Sequence, residues 1–361
     1  MAVVVCHWTA IFPPMYGIAP PVTVVLAGYF GVELFFVLSG FLIGRLLFEI
    51  AAEDPTLRGW FIFMVRRWMR TLPLYYVWLG VLLLAIPPQT HFMSHLLSYA
   101  TMTQNLAWPM PQDEWFNETW SLTIEEWFYL LFSATLIGAV AITRSQRVIW
   151  FVIGAFIALP LLARLLSPPP ANFEHDMYHV AAFRLDAIAY GVALGRLHMS
   201  GSRLFLYPGA LRLLGIALVG CFWIQDCTGV WFGLQRMPYF NLQFIGVSIG
   251  FCLFLAGLQG VRGHGGVFDR VIAQGSRISY GLYIMHLAII NRVLAFTAVH
   301  GYGRVFATVV ALPLIFAVPY LSYRFFEAPI LARRPRQRRH PAMVGRHSGA
   351  AVPVENVPAQ G

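Results

Sequence analysis

The sequence predicts an all-α fold: a polytopic integral membrane bundle of about ten transmembrane helices. Apolar residues make up 58% of the chain and charged residues only 11%, and the mean hydropathy is +0.65. These values exclude ordinary soluble domains, which carry many more charged residues. The first residues lack the basic region and the small-residue cleavage site of a signal peptide. We therefore assign the hydrophobicity to the folded protein itself.

Each predicted helix is an apolar run bounded by Pro, Gly or Arg, and such runs recur almost to the end of the chain. Residues 91–108 are apolar but interrupted by Ser, Thr, Gln and Asn, which is typical of a re-entrant or interfacial segment. We assign residues 1–330 to one transmembrane domain. Residues 331–361 are basic and then of low complexity, and we expect a disordered cytoplasmic tail. The predicted helices are 1–12, 25–48, 72–86, 120–142, 147–166, 182–198, 208–224, 240–258, 279–298 and 305–326.

The first predicted helix is short. In "MAVVVCHWTAIFPP", twelve residues rise about 18 Å, whereas the hydrocarbon core is about 30 Å thick. We therefore expect this helix to be truncated, with the natural start about eight to twelve residues upstream.

The arginines predict the orientation. All 25 basic residues are Arg. With both termini in the cytoplasm, 18 of them fall in the inner loops and the tail, and only Arg236 and Arg304 fall in the outer loops. The same rule explains the net charge of +9 without a nucleic acid partner. The outer loops carry acids instead: Asp113, Glu114, Glu118, Glu174, Asp176 and Asp226.

Several ionisable side chains fall inside the predicted helices. Each costs about 2.5–3.5 kcal/mol in hydrocarbon even on the most lenient scale, so each needs a partner or a function. Their density indicates a polar cavity within the bundle. They are His7, Glu33, Arg45, Glu125, Glu126, Arg184, Asp186, His286 and Arg292.

Three sites within the predicted helices have a structural interpretation as well as a functional one. Glu33 either pairs with an arginine at the interface or serves the cavity. Ser39 and Gly40 either permit close helix packing or line a ligand cavity. Arg184 and Asp186 are best read as an ion pair at a helix start, with a cavity role as the alternative.

The acids of "WSLTIEEWFYLLF" allow a similar choice. Ser121 lies four residues before Glu125, a spacing that resembles a helix start with one acid in a capping role. Adjacent helical residues point about 100° apart, so Glu125 and Glu126 cannot serve the same face, and Glu125 is the better candidate for the cavity.

The cytoplasmic Arg67 and Arg70 lie on one helical face. They either follow the topology rule or bind an anionic substrate such as the phosphates of a nucleotide carrier. His286 is either a buried neutral histidine bonded to a tyrosine or a functional residue. Two histidine pairs have i, i+4 spacing but no third ligand in view, so we predict no metal site; they are His91 with His95 and His175 with His179.

Six stretches, in this order along the chain, resemble the membrane-bound acyltransferase family 3, of the O-acetylase type. They are "GVELFFVLSGFLIGRLL", "RRWMRTLPLYY", "WSLTIEEWFYLLF", "FRLDAIAYGVALG", "ISYGLYIMH" and "SYRFFEAPI". The resemblance implies transfer of an acyl group, usually acetyl, from cytoplasmic acyl-CoA to a hydroxyl of a carbohydrate or a glycosylated acceptor, such as a surface glycan or a macrolide. It implies acyl-CoA as co-substrate, no permanently bound cofactor, and a location in the bacterial plasma membrane.

The resemblance also implies roles for individual residues. His7 matches the essential first-helix histidine, whose usual upstream basic residue has no counterpart in this chain. Such a neutral imidazole takes a proton from the acceptor hydroxyl or carries the acyl group itself. Glu125 matches the acid of an "SL-x-x-E" element, and His286 matches a late "Y-x-x-H" histidine.

The remaining matches concern the donor and the cavity. Arg67 and Arg70 match an Arg-x-x-Arg element and would hold the CoA phosphates, and Glu33 matches an acid before a double Phe. Two alternatives remain open: a multi-pass transporter or flippase, which predicts repeats and broken helices, and an inactive family member that acts as a scaffold or sensor.

Overall fold

The structure is a computed structural model that describes residues 1–106, 115–170, 172–261, 263 and 265–335. These described residues form helices, turns and loops, with no β-strand among them. Four features of the sequence fall outside them: Asp113 with Glu114, the side chain of Glu174, Arg262, and the predicted tail from residue 336 onward.

Twelve α-helices form within the described residues, and ten of them, each at least fourteen residues long, occupy the ten predicted segments. The all-α class is therefore confirmed. The helices are α1 (Ala2–Met15), α2 (Val22–Glu53), α3 (Leu57–Ala85), α4 (Phe92–Ala100), α5 (Trp120–Thr143), α6 (Val148–Leu166), α7 (Leu185–Met199), α8 (Pro208–Thr228), α9 (Arg236–Gly257), α10 (Val267–Val299), α11 (Arg304–Ser322) and α12 (Ala328–Ala332).

The number of spanning helices needs correction. Of the helices that the structure describes, eight rather than ten are long and apolar enough to cross a membrane. Helix α1 has 14 residues, a rise of about 21 Å. Helix α7 has 15 residues and is largely buried against α2, α6 and α9, so it meets other helices rather than lipid and needs no continuous apolar surface.

Two helices extend more than ten residues beyond their predicted N-terminal ends. Helix α3 begins at Leu57 rather than at residue 72, and α10 begins at Val267 rather than at residue 279. Apolar runs mark only the part of a helix that lies in hydrocarbon. The extension of α3 carries the arginines that the sequence predicts to lie in the cytoplasm.

Helices α2 and α7 cross at very short range because glycines face each other. A Cβ atom on Gly40 would lie 1.9 Å from the carbonyl oxygen of Ile188, and one on Gly191 would lie 2.0 Å from that of Val37. No side chain fits at either position. Small residues are the usual means of close helix approach in membranes, so the packing interpretation is confirmed for Gly40.

The apolar core divides into groups of helices, and the candidate site lies between two of them. One group joins α1, α3, α10 and α11 around residues such as Leu74 and Met285. The other joins α2, α5, α6 and α7 around Phe36 and Phe128. Side chains from α1, α3 and α10 therefore face side chains from α2 and α5 across the boundary.

Contacts between helix ends agree with the predicted alternation of the chain across the membrane. Arg66 Nη1 in α3 donates to the carbonyl of Pro335, 2.5 Å away, so the segment after α12 lies on the same side as the start of α3. Gln146 likewise donates to the carbonyl of Ala51. On the opposite side, the guanidinium of Arg292 in α10 donates to the last carbonyl of α3.

Candidate active site

Two histidines from distant parts of the sequence form a pair at the boundary between the helix groups. His7 Nδ1 in α1 lies 2.7 Å from His286 Nε2 in α10. The two rings are stacked, with centroids 5.0 Å apart and planes inclined by 9°. His286 is fully buried, whereas His7 is partly exposed to a cavity. These two residues are called the histidine pair.

Main-chain contacts assign the protons of the histidine pair. His286 Nδ1 lies 2.7 Å from the carbonyl oxygen of Tyr283 and 3.0 Å from that of Leu282. A carbonyl only accepts, so Nδ1 of His286 carries a proton, and in the neutral ring Nε2 is an acceptor. His7 Nδ1 must then donate to it. The remaining nitrogen of His7, Nε2, keeps its lone pair and is the basic atom of the pair.

His7 lies in the wall of a cavity of about 370 Å³. Aromatic rings form much of this wall, and a few polar groups lie among them, which is typical of a ligand site. We call it the aromatic cavity. Its aromatic lining includes Tyr29, Trp120, Phe173, Tyr178, Trp231 and Phe240, and its polar lining includes Glu118, Asp226 and Gln243.

A second cavity, of about 340 Å³, extends from the same region toward the arginines of α3. Its side walls are apolar, with Leu38 and Leu42 among them. We call it the arginine cavity. Its polar lining includes Ser39, Arg67, Arg70, Thr71, Glu125 and Tyr129.

The two cavities share part of their walls. Val3, Val32 and Tyr283 line both. The Tyr283 hydroxyl donates to the carbonyl of Glu118 at 2.7 Å and accepts from Ser121 at 2.6 Å. The two cavities therefore adjoin each other, and the histidine pair lies beside their shared wall, next to Tyr283.

The adjacent acids of α5 point to different helices, as their angular separation predicts. Glu125 Oε1 accepts from Ser39 in α2 at 2.5 Å and also from the hydroxyl of Tyr129. Glu126 accepts from Thr71 in α3 at 2.6 Å. Glu125 lines the arginine cavity, and no hydrogen bond joins it to the histidine pair within the residues that the structure describes.

The capping interpretation of Ser121 is wrong. A 3₁₀ turn at Asn117–Thr119 leads directly into α5, which begins at Trp120 and has no side-chain cap. Ser121 therefore lies inside the helix. Its hydroxyl instead makes a hydrogen bond with the hydroxyl of Tyr283, across the boundary between the helix groups.

Four charged side chains form a second buried cluster, and their pairing corrects the sequence interpretation. Arg184 donates to Glu33, while Asp186 accepts from Arg164 at 2.7 Å. Arg184 and Asp186 are thus not each other's ion-pair partners, although both are paired. The Phe244 ring lies against both guanidinium groups, 3.8 Å from that of Arg184 and 5.0 Å from that of Arg164.

This ionic cluster (Glu33, Arg164, Arg184 and Asp186) is almost completely buried and lines neither the aromatic nor the arginine cavity. It joins α2, α6 and α7 with the residue just before α7. The pairing of Glu33 with an arginine, one of the two options for that residue, is confirmed. A direct cavity role for Glu33, Arg184 and Asp186 has no geometric support here.

Sequence reasoning missed three polar residues. Arg164 lies two residues before the end of a predicted helix, and no motif in the sequence marks it. Tyr129 follows Glu125 by four residues, a helical spacing that could have identified it. Arg334 lies on the same side of the bundle as Arg66, Arg67 and Arg70 of α3, and its basic surroundings in the sequence predict only a tail.

The fold and the site first define a class: an integral membrane protein with a histidine pair at the wall of one cavity and an arginine-lined cavity next to it. The comparison with protein families gives the particular family. Residues 1–324 match the acyltransferase domain of the acyltransferase 3 family, and because this match covers nearly the whole chain, the protein belongs to that family. It is a membrane acyltransferase. Neither a curated protein nor a solved structure gave a significant match.

Proposed function

We propose that this acyltransferase transfers an acyl group, ordinarily acetyl, from cytoplasmic acyl-CoA to a hydroxyl of a carbohydrate or glycosylated acceptor. One observation carries the proposal: His7 lines the cavity with aromatic walls, and that cavity shares wall residues with the cavity lined by arginines. Two substrates of different chemistry can then approach one base from opposite sides.

The arginine cavity suits the donor. Arg67 and Arg70 present planar, permanently charged groups that bind phosphate through two parallel hydrogen bonds. They lie on the side where the sequence concentrates its arginines, which the positive-inside rule assigns to the cytoplasm. The apolar wall beyond them suits the uncharged arm and the acyl group of a CoA thioester.

The histidine pair performs the proton transfer. The acceptor hydroxyl attacks the thioester carbonyl, a C–O bond forms, and His7 Nε2 takes the hydroxyl proton. The C–S bond then breaks, and the CoA sulfur leaves with that proton. His286 Nδ1 keeps its own proton, which it donates to the carbonyl of Tyr283. His286 Nε2 therefore remains an acceptor and holds the His7 ring in the basic tautomer throughout.

The aromatic cavity suits the acceptor. The C–H face of a sugar ring packs on aromatic side chains such as Trp120 and Trp231, while hydroxyl groups need acceptors and donors at the rim. Glu118 and Gln243 supply such groups in the lining.

The test uses the full chain in lipid nanodiscs with radiolabelled acetyl-CoA. Release of free CoA and transfer of label are measured with glycolipid and polysaccharide fractions from the producing cells and with a panel of simple glycosides. We expect acceptor-dependent CoA release, abolished in His7→Ala. His300→Ala is the matched control, because His300 is an exposed histidine at the end of α10.

Absence of both CoA release and label transfer from the wild-type chain in every arm would overturn the proposal. Mass spectrometry of acid-quenched protein separates the two chemical routes. An acetyl group on the His7 peptide shows a covalent intermediate, whereas label on the acceptor alone shows direct transfer.

A further inference from the structure

A fourth arginine, Arg334, lies near Arg66, Arg67 and Arg70 of α3. Arg334 follows α12, and Arg66 Nη1 fixes this segment through its 2.5 Å hydrogen bond to the carbonyl of Pro335. Arg66 and Arg70 are four residues apart on α3, so they share a face and are separated by a rise of about 6 Å. The segment after α12 is thereby held against the arginine-bearing half of α3.

Two nitrogens of the Arg334 side chain have no partner among the described residues. Its Nε and Nη2 atoms are buried and make no hydrogen bond with any described residue. Buried guanidinium nitrogens are ordinarily satisfied, so such a pair of donors calls for an absent acceptor. Burial first, and then the charges of Arg70, Arg66 and Arg67, lower the pKa of Arg334 to about 10. The positive charges of these four arginines therefore repel one another, and a bound anion would reduce that repulsion.

The position of Arg334 differs from that of the other arginines. Arg67 and Arg70 line the arginine cavity, and the Arg67 guanidinium lies over the Tyr129 ring, 5.9 Å from its centre. Arg334 lies beyond that lining, where the chain leaves the bundle. One phosphate group inside the arginine cavity would bind Arg67 and Arg70, and a second phosphate group outside the cavity would bind Arg334.

We propose that Arg334, held in place by Arg66, binds the 3′-phosphate of the CoA donor, while Arg67 and Arg70 bind its diphosphate. This inference rests on the proposed function, because it requires acyl-CoA as donor. CoA carries its diphosphate next to the flexible arm and its single 3′-phosphate farther from the thioester, on the ribose. The arginines follow the same order from the cavity outward: Arg67 and Arg70 come first, and Arg334 follows.

The test compares two ligands that differ by this one group: acetyl-CoA and 3′-dephospho-acetyl-CoA. Their affinities for the full chain in nanodiscs of neutral lipid are measured by calorimetry. We expect Arg334→Ala to weaken acetyl-CoA by about tenfold or more, as for a lost charged hydrogen bond, and to leave the dephospho form unchanged. Arg333→Ala is the matched control, because Arg333 is the exposed neighbour, and it should change neither affinity.

Equal weakening of both ligands in Arg334→Ala, or no weakening of either, overturns the assignment while leaving the donor itself in place. If the wild-type chain binds neither ligand, the proposed function fails instead. A further arm repeats the measurements with anionic phospholipid. Loss of retained anionic lipid in Arg334→Ala by native mass spectrometry, with acetyl-CoA affinity unaltered, would assign the site to a lipid phosphate and also overturn the proposal.

Discussion

The ionic cluster and the histidine pair are both buried, charged or chargeable, and built from helices far apart in sequence, yet they differ in their surroundings. The ionic cluster is enclosed by packed side chains and lines neither described cavity, with the Phe244 ring over both of its guanidinium groups. The histidine pair has one ring exposed to the aromatic cavity and no charged partner among the described residues.

The difference indicates that the ionic cluster has a structural role and the histidine pair a chemical one. Enclosed opposite charges hold helices in one arrangement, and removing one of them leaves an uncompensated charge. A neutral imidazole at a cavity wall contributes little to packing but can exchange a proton with a bound molecule. Substitutions in the two clusters should therefore act on different measured quantities.

The largest expected effect is on the rate, in His7→Ala. Loss of a positioned general base lowers turnover by about 10²–10⁴-fold, whereas the lost hydrogen bond to His286 should cost only about 1–3 kcal/mol of stability in detergent. Turnover is measured as CoA release under saturating acetyl-CoA. A variant with a lower unfolding midpoint but with wild-type turnover when folded would show that His7 has a structural role instead.

The next largest effect is on stability, in Arg184→Met. Breaking the buried pair leaves Glu33 without its partner and should cost about 3–5 kcal/mol, seen as a lower unfolding midpoint and a smaller folded fraction. The double variant Arg184→Met with Glu33→Leu removes both charges and should recover most of that loss. If the double variant folds like the wild-type chain but has no activity, the ionic cluster belongs to the active site.

The ionic cluster also shows what sequence can and cannot predict here. Lipid imposes long apolar runs, so all ten helices were located from the sequence. Partners across helices have no such signature. Arg184 and Asp186 are close in sequence, but helical residues two apart do not face each other, and their partners lie on α2 and α6, respectively. The contact between His7 and His286 spans 279 residues; family resemblance marked both residues, but only the fold brings them together.

A third, intermediate effect concerns Glu125, which is buried like the ionic cluster but lines the arginine cavity. Tyr129→Phe removes one of its two hydroxyl donors, at a cost of about 1–3 kcal/mol. We expect both a lower unfolding midpoint and a severalfold higher KM for acetyl-CoA. Tyr75→Phe is the control, since Tyr75 is buried, donates to the Tyr99 carbonyl and lines neither cavity. It should lower the midpoint alone; equal KM changes in both variants would contradict the prediction.

The smallest expected effect is on the acceptor side, at Trp231. Trp231 and Phe232 both have left-handed backbone, with φ of 51° and 54°, a conformation that costs roughly 1–2 kcal/mol per non-glycine residue. Only Trp231 lines the aromatic cavity. Such strain at a cavity wall is typical of a residue retained for its position.

Trp231→Gly and Phe232→Gly relieve the same strain, and each also removes a ring packed on Tyr239, so the two variants should change the unfolding midpoint by similar amounts. Loss of a stacking ring is worth about 0.5–1.5 kcal/mol, so only Trp231→Gly should raise the KM for the acceptor fraction, by several fold, with the KM for acetyl-CoA unaltered. If Phe232→Gly raises the acceptor KM equally, the turn acts through its shape rather than through the Trp231 ring. In that case the aromatic cavity binds its ligand by the remaining rings, and the strain at Trp231 has no role in acceptor binding.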